Sequence, residues 1–187
     1  MAVTDYKFPG TAASVDRDEK VKWETPDNAK ADDTNYATSG GSKNTYTDWL
    51  RLTNFGFSSS DIPDGSTING IEFEINRYCD AGESFSVNDS ALYLYANGQV
   101  GNNLASATKW PTSVEAATYG GATDMCGTTL SQADIVANTF GVQLSTLNSA
   151  TSVTAYVDYI KIRVYYTESG GGGIVVPVFL YHYMNHC

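Results

Sequence analysis

Ile71-Glu72-Phe73-Glu74-Ile75-Asn76 alternates apolar and polar side chains, the pattern of a β-strand with one buried and one wet face. The same alternation recurs along the chain. Leu92, Leu94 and Ala96 alternate with Tyr93 and Tyr95, Phe140, Val142 and Leu144 with Gly141, Gln143 and Ser145, and Trp49 to Phe57 reads as a further strand. Thr151 to Thr167 is the longest run. Ile160, Ile162, Val164 and Tyr166 hold one phase there, Ala155 and Val157 the other, and the switch near Asp158 and Tyr159 predicts a bulge. Between the runs stand turn formers: Pro63-Asp64-Gly65, Asn69-Gly70, Asp80-Ala81-Gly82, Asn97-Gly98 and Gly120-Gly121. The sequence therefore predicts an all-β fold, an antiparallel β-sandwich of jelly-roll type with about eight strands between residues 21 and 168. The one helical segment expected is Ser131 to Ala137, opened by Ser131 and Asp134 as a capping box.

The ends read differently from the middle. Residues 1–20 mix Asp, Lys, Arg and Gly with little apolar periodicity, which predicts an extended arm, protease-sensitive when free. Residues 169–173 form a Gly-rich linker, and residues 174–187 are strongly apolar. In that last segment Ile174, Val175, Val176, Val178, Phe179, Leu180, Tyr181 and Tyr183 have high β propensity, and strand addition to a partner subunit is the expectation. Folding back onto its own sandwich is the alternative.

Composition narrows the function. At 187 residues the chain suits one domain with short appendages. Charged residues are only 17% of it, so Tyr, Gly, Ser, Thr and Asn must cover most of the surface. The net charge of −10 has the wrong sign for a phosphate backbone, so no nucleic-acid partner is expected. No apolar run approaches the roughly 18 residues of a membrane span, so no membrane partner is expected either. The first residues lack the charged and apolar regions of a signal peptide, so a protein acting outside the cell would leave by another route, such as lysis, or would have this sequence after processing.

The residue inventory argues against catalysis. His182 and His186 both lie in the apolar tail, where Pro177 and the β-branched run oppose a metal-binding helix. Cys79, Cys126 and Cys187 match no zinc spacing; a Cys79 to Cys126 bridge is one option and free thiols the expected one. Gly170 to Gly173 leads into apolar residues rather than a Lys and a helix, so it is no phosphate loop. Glu72 and Glu74 share the wet face of one strand, which reads as a solvated or edge-protecting row, since nothing there would separate their pKa values as glycoside hydrolysis requires. Asp80, Glu83 and Asp89 are hard oxygen donors around one hairpin but lack calcium-loop spacing. No cofactor, no metal and no metal-dependent stability are expected.

Aromatic residues are the remaining feature. Tyr93 and Tyr95 point away from the Leu92 and Leu94 face, and Trp23, Trp49 and Trp110 lie near turn-rich stretches. Such residues beside Asn and Asp suit sugar stacking, and they equally suit an assembly interface. The interface is the preferred expectation for Tyr93, Tyr95 and Trp110.

The strings Trp49-Leu-Arg-Leu-Thr-Asn-Phe-Gly-Phe57, Ile62-Pro-Asp-Gly-Ser-Thr-Ile-Asn-Gly-Ile-Glu-Phe-Glu-Ile75 and Ala155-Tyr-Val-Asp-Tyr-Ile-Lys-Ile-Arg-Val-Tyr-Tyr-Thr167 resemble a β-sandwich domain of tailed-phage and prophage virion structural proteins. Val100-Gly-Asn-Asn103, Trp110-Pro111, Tyr119-Gly-Gly-Ala-Thr-Asp124 and Phe140-Gly-Val142 add to the likeness, which covers about two-thirds of the chain and leaves Gly170 to Cys187 outside. The resemblance implies a non-catalytic virion subunit on a capsid or tail, with copies of itself and other virion proteins as partners, and capsid decoration as the preferred version. Two alternatives stand beside it: a carbohydrate-binding module on a fibre or secreted protein, with a glycan partner, and a self-assembling extracellular filament subunit.

Overall fold

The computed structural model describes residues 1–18, 20–80, 86–149 and 153–169. The strands are β1 (Ala2–Val3), β2 (Thr11–Val15), β3 (Ala37–Gly41), β4 (Thr45–Tyr46), β5 (Trp49–Thr53), β6 (Thr67–Cys79), β7 (Val87–Ala96), β8 (Gln99–Val100), β9 (Glu115–Gly120), β10 (Phe140–Asn148) and β11 (Val153–Thr167). A 3-10 turn at Pro26–Ala29 and a short helix α1 (Gln132–Val136) complete the elements. Helix α1 starts at Ser131 with the predicted capping box, and Ile135 anchors it to the core.

The strands form two sheets, and every pair within them is antiparallel. The first runs β1-β11-β6-β9, with β3 also on β11; the second runs β2-β5-β10-β7-β8, with β4 also on β10. From β5 onward the long strands β5, β6, β7, β9, β10 and β11 alternate between the sheets, the connectivity of a jelly-roll sandwich. Between the sheets lies the core: Ile71, Phe73 and Ile75 from β6, Ile160, Ile162 and Val164 from β11, Leu50 and Leu52 from β5, Leu92 and Leu94 from β7, and Phe140, Val142 and Leu144 from β10 are all fully buried. These are the apolar phases of the runs read in the sequence. Among the described residues no helix is long and apolar enough to cross a membrane.

The bulge falls where the phase changes. The β6–β11 register shifts between Val157 and Tyr159, leaving Asp158 out of the ladder and only 2% exposed. Its carboxylate accepts the main-chain N–H of Thr34 at 3.1 Å and of Asp33 at 3.4 Å, and so pins the 31–35 loop to β11. Gly141 permits a close approach of two strands, for a Cβ there would lie 1.9 Å from the Leu52 carbonyl oxygen. Gly56 differs: it occupies a left-handed turn with φ of 68° and open space around it.

Among the described residues eleven strands form, nine of them, β3 to β11, between residues 21 and 168 where about eight were expected, and β1 and β2 lie in the N-terminal segment. One expectation is corrected. Residues 1–20 are not a free arm. β1 pairs with Tyr165 and Tyr166, Lys7 exchanges two main-chain bonds with Ile162, and β2 lines β5 from Thr53 to Trp49, so this segment borders both sheets. The pairing is made by backbone groups at sheet edges, which need no apolar alternation. The linker and the tail from Gly170, including Ile174, Val175, Val176, Val178, Phe179, Leu180, Tyr181, Tyr183, His182 and His186, lie outside the described residues.

Candidate functional site

The outer face of the second sheet gathers aromatic and planar polar side chains. Register sets the rows: Ala13, Arg51, Gln143 and Tyr93 lie opposite one another across β2, β5, β10 and β7. Tyr95 stands two residues along β7 from Tyr93 and Trp49 two residues along β5 from Arg51, so alternation puts them on the same face. Arg17 reaches this face from the turn after β2, and Tyr46 comes from β4.

The side chains lock one another. Arg51 donates from Nε at 3.2 Å and Nη2 at 3.1 Å to Oε1 of Gln143, while its guanidinium lies over the Tyr95 ring at 4.2 Å. Gln143, 2% exposed, donates from Nε2 to Oε1 of Gln99 at 3.1 Å. Trp49 and Tyr93 meet edge to face at 6.2 Å and 74°. Arg17 sits over Trp49 at 4.6 Å and over Tyr46 at 5.8 Å, and its Nη1 donates to the hydroxyls of Ser145 at 2.6 Å and Ser90 at 3.1 Å. Trp49, Tyr93, Tyr95 and Arg51 remain half-exposed, and Tyr46 is 41% exposed. The result is a shelf of rings whose edges carry amide, hydroxyl and guanidinium groups, held in place before any ligand arrives.

Tyr93 and Tyr95 stand where the alternation placed them. Trp110 does not: it is 3% exposed, and its indole N–H donates to Asp89 inside the sandwich, so it belongs to no outer surface. Trp23 is buried too, donating to the carbonyl of Asp48 at 3.0 Å. A tryptophan beside a turn can cap the end of the core as readily as it faces water, and only packing separates the two. Arg51, Gln143, Arg17 and Tyr46 were missed as site residues. The signal for two of them was present, because Arg51 shares the phase of Trp49 in Trp49-Leu-Arg-Leu-Thr53 and Gln143 alternates with Val142 and Leu144.

Glu72 and Glu74 are each tied to cross-strand partners. Glu72 and Glu74, on the outer face of the first sheet, bind Arg163 at 2.7 Å and Lys161 at 2.8 Å, and Tyr165 and Tyr159 donate to them at 3.0 and 2.6 Å. Tyr6 also donates to Glu72. Burial alone would raise both pKa values, but the hydrogen bonds and cations together outweigh it, and both carboxyls lie below the ordinary value of 4.5. They are cross-strand ties, half-covered by their partners.

Asp80 and Asp89 are not co-ligands. Asp80 accepts from Thr154 N–H at 2.6 Å and Tyr156, whereas Asp89 pairs with Arg77 and accepts from Trp110 at 2.8 Å, Tyr119 at 2.6 Å and the Ser106 N–H at 3.0 Å. Glu83 lies outside the described residues, among which no cluster of three or more His, Cys, Asp or Glu forms. Cys79 and Cys126 are buried free thiols. Cys126 lies against the Ile71 carbonyl while Cys79 ends the same strand, eight residues or about 26 Å away. Burial first, then Asp124, pushes the Cys126 thiol up to about 12.

No protein-family model matches the chain, and no curated protein matches it. Among solved structures it is similar to a CBM4 carbohydrate-binding module, at 13% identity over 85% of this chain and 94% of that one, with a TM-score of 0.41. It is also similar to the CBM1 module of BiXyn10A, at 11% identity over 90% and 100% with a TM-score of 0.41. A third is the N-terminal cellulose-binding domain of Cellulomonas fimi β-1,4-glucanase C, at 10% identity over 88% of each chain with a TM-score of 0.35.

Proposed function

We propose that this chain is a non-catalytic carbohydrate-binding module whose site is the outer face of the second sheet. The observation that carries the reading is the row of Tyr93, Gln143 and Arg51, flanked by Trp49 and Tyr95. Sugar rings present apolar C–H faces and polar rims, so a binder needs flat aromatic surface beside planar donors and acceptors, already oriented. Trp49 and Tyr93 offer the first, and Arg51 and Gln99, both held by the buried Gln143 between them, offer the second.

A glycan array with the full chain tests this, followed by titration of the best glycan against Trp49→Ala and Tyr93→Ala. Both variants are expected to weaken binding about tenfold or more, since ring contacts are worth on the order of 1 kcal/mol each beyond the area they bury. A blank array overturns the reading.

The second reading is a virion subunit on a capsid or tail, favoured by the resemblance over Trp49 to Thr167 and by the Tyr, Trp and Arg content of this same face, which protein interfaces share. A glycan-binding module on a fibre would join the two. Electron microscopy of the native particle with an antibody to the chain tests it, and absence of the chain from particles removes it.

A further inference from the structure

The outer face of the second sheet differs in charge from the rest of this acidic protein. The strands of that sheet, β2, β4, β5, β7, β8 and β10, contain one carboxylate, Asp89, and it points inward. Outward they carry Arg51, joined by Arg17 from the adjoining turn. On the first sheet Glu72 and Glu74 are each matched to a cation.

Pairing sharpens the contrast. The ion pairs among the described residues engage Lys7, Lys30, Arg77, Lys161 and Arg163. Arg17 and Arg51 instead have neutral side-chain partners: Ser90, Ser145 and two rings for the first, Gln143 and Tyr95 for the second. Asp16 and Asp18 flank Arg17 in sequence, in the turn beyond the sheet. Of the four arginines, Arg77 and Arg163 are ion-paired, whereas among the described residues the guanidinium groups of Arg17 and Arg51 are bonded to neutral side chains, and both stand on one aromatic face. A neutral sugar would be served by amides and hydroxyls alone. Tyr46 also lines a cavity of about 330 Å³ together with Lys20, Val21, Asn44 and Thr45.

We infer that the glycan bound by this face is acidic, a polysaccharide whose uronate carboxylates pair with Arg17 and Arg51 while its rings rest on Trp49, Tyr93 and Tyr46. The inference rests on the carbohydrate-binding reading above. A carboxylate is planar and matches the guanidinium fork, gaining a charge-assisted bond that a hydroxyl cannot supply. The net negative charge of the protein does not oppose this at working ionic strength, because charges beyond roughly 8 to 10 Å are largely screened and the local face dominates.

The test titrates the full chain with polygalacturonate and with alginate, each beside its fully methyl-esterified form, at low and at high salt. The esters keep the backbone and remove the charge. At least one acid form is expected to bind about tenfold or more tighter than its ester, with the difference shrinking at high salt and in Arg17→Gln and Arg51→Gln. Trp49→Ala should lose acid and ester alike. Ester or neutral glycan binding as tight as the acids overturns this inference and leaves the carbohydrate-binding reading standing. Absence of binding to every acidic and neutral glycan overturns both. The salt dependence is read on the unmodified protein, so the outcome stands even where an arginine variant fails to fold.

Discussion

The indole N–H of Trp110 donates to Oδ1 of Asp89 at 2.8 Å, inside the sandwich, and thereby ties the 106–111 loop to the inner face of β7. Asp89 is the hub of that end of the core. Tyr119 on β9, the Ser106 main chain and Arg77 on β6 all converge on it, and Arg77 is itself flanked by the Trp110 and Tyr119 rings at 4.8 and 5.5 Å.

Asp89→Ala should therefore destabilise the fold by about 3–5 kcal/mol, since it strands the buried Arg77 charge as well as three neutral donors. The paired change Arg77→Met with Asp89→Leu should recover much of the loss, because no charge is left unmatched. Urea unfolding of the three proteins decides it. A loss under about 1 kcal/mol for Asp89→Ala would show that the pair is solvated rather than buried.

Gly141→Ala should cost about 1–3 kcal/mol or more, because the new Cβ meets the Leu52 carbonyl oxygen and neither backbone can yield without breaking the β5–β10 ladder. Gly121→Ala is the control: nothing lies within 4 Å of its Cβ, and it should change stability by less than about 0.5 kcal/mol. Equal melting temperatures for the two variants would contradict the close approach.

Deleting residues 1–15 should lower the melting temperature and induce aggregation, since it removes β1 from β11 and strips β2 from β5, exposing two edges. In the intact protein, trypsin should cleave slowly after Lys7, whose main chain is bonded to Ile162 in both directions. Rapid cleavage there, with the core intact, would restore the free arm that composition suggested.

Acid should weaken the first sheet. Glu72 and Glu74 are held below their ordinary value, so the unfolded chain takes up protons first as pH falls. The stability they contribute is fully present above about pH 4.5 and is lost as pH drops through their folded values. Glu72→Gln should flatten that loss. Asp158 acts in the opposite sense: burial, the largest influence, raises its pKa, so its protonation favours the folded state, and Asp158→Asn should steepen the acid loss. Thermal melts between pH 3 and pH 7 would measure both slopes.

The alternating runs at Ile71 to Ile75, Leu92 to Leu94, Phe140 to Leu144 and Ile160 to Val164 determined, by themselves, which side chains meet in the core and where β11 must bulge. Period-two patterning is a local property, because a strand that buries one face advertises it residue by residue. Tyr93 and Tyr95 were legible as outward-facing for the same reason.

Which outward residues would become neighbours was not local. Arg51 and Gln143 are 92 positions apart and meet only because β5 and β10 pair in a particular register. The fate of the tryptophans was equally tertiary: Trp49 and Trp110 both stand near turns, but one ring lies on the sheet and the other closes over Asp89. The N-terminal strands escaped sequence reading because edge pairing is carried by N–H and C=O groups, which every residue except proline possesses and no side-chain pattern reports.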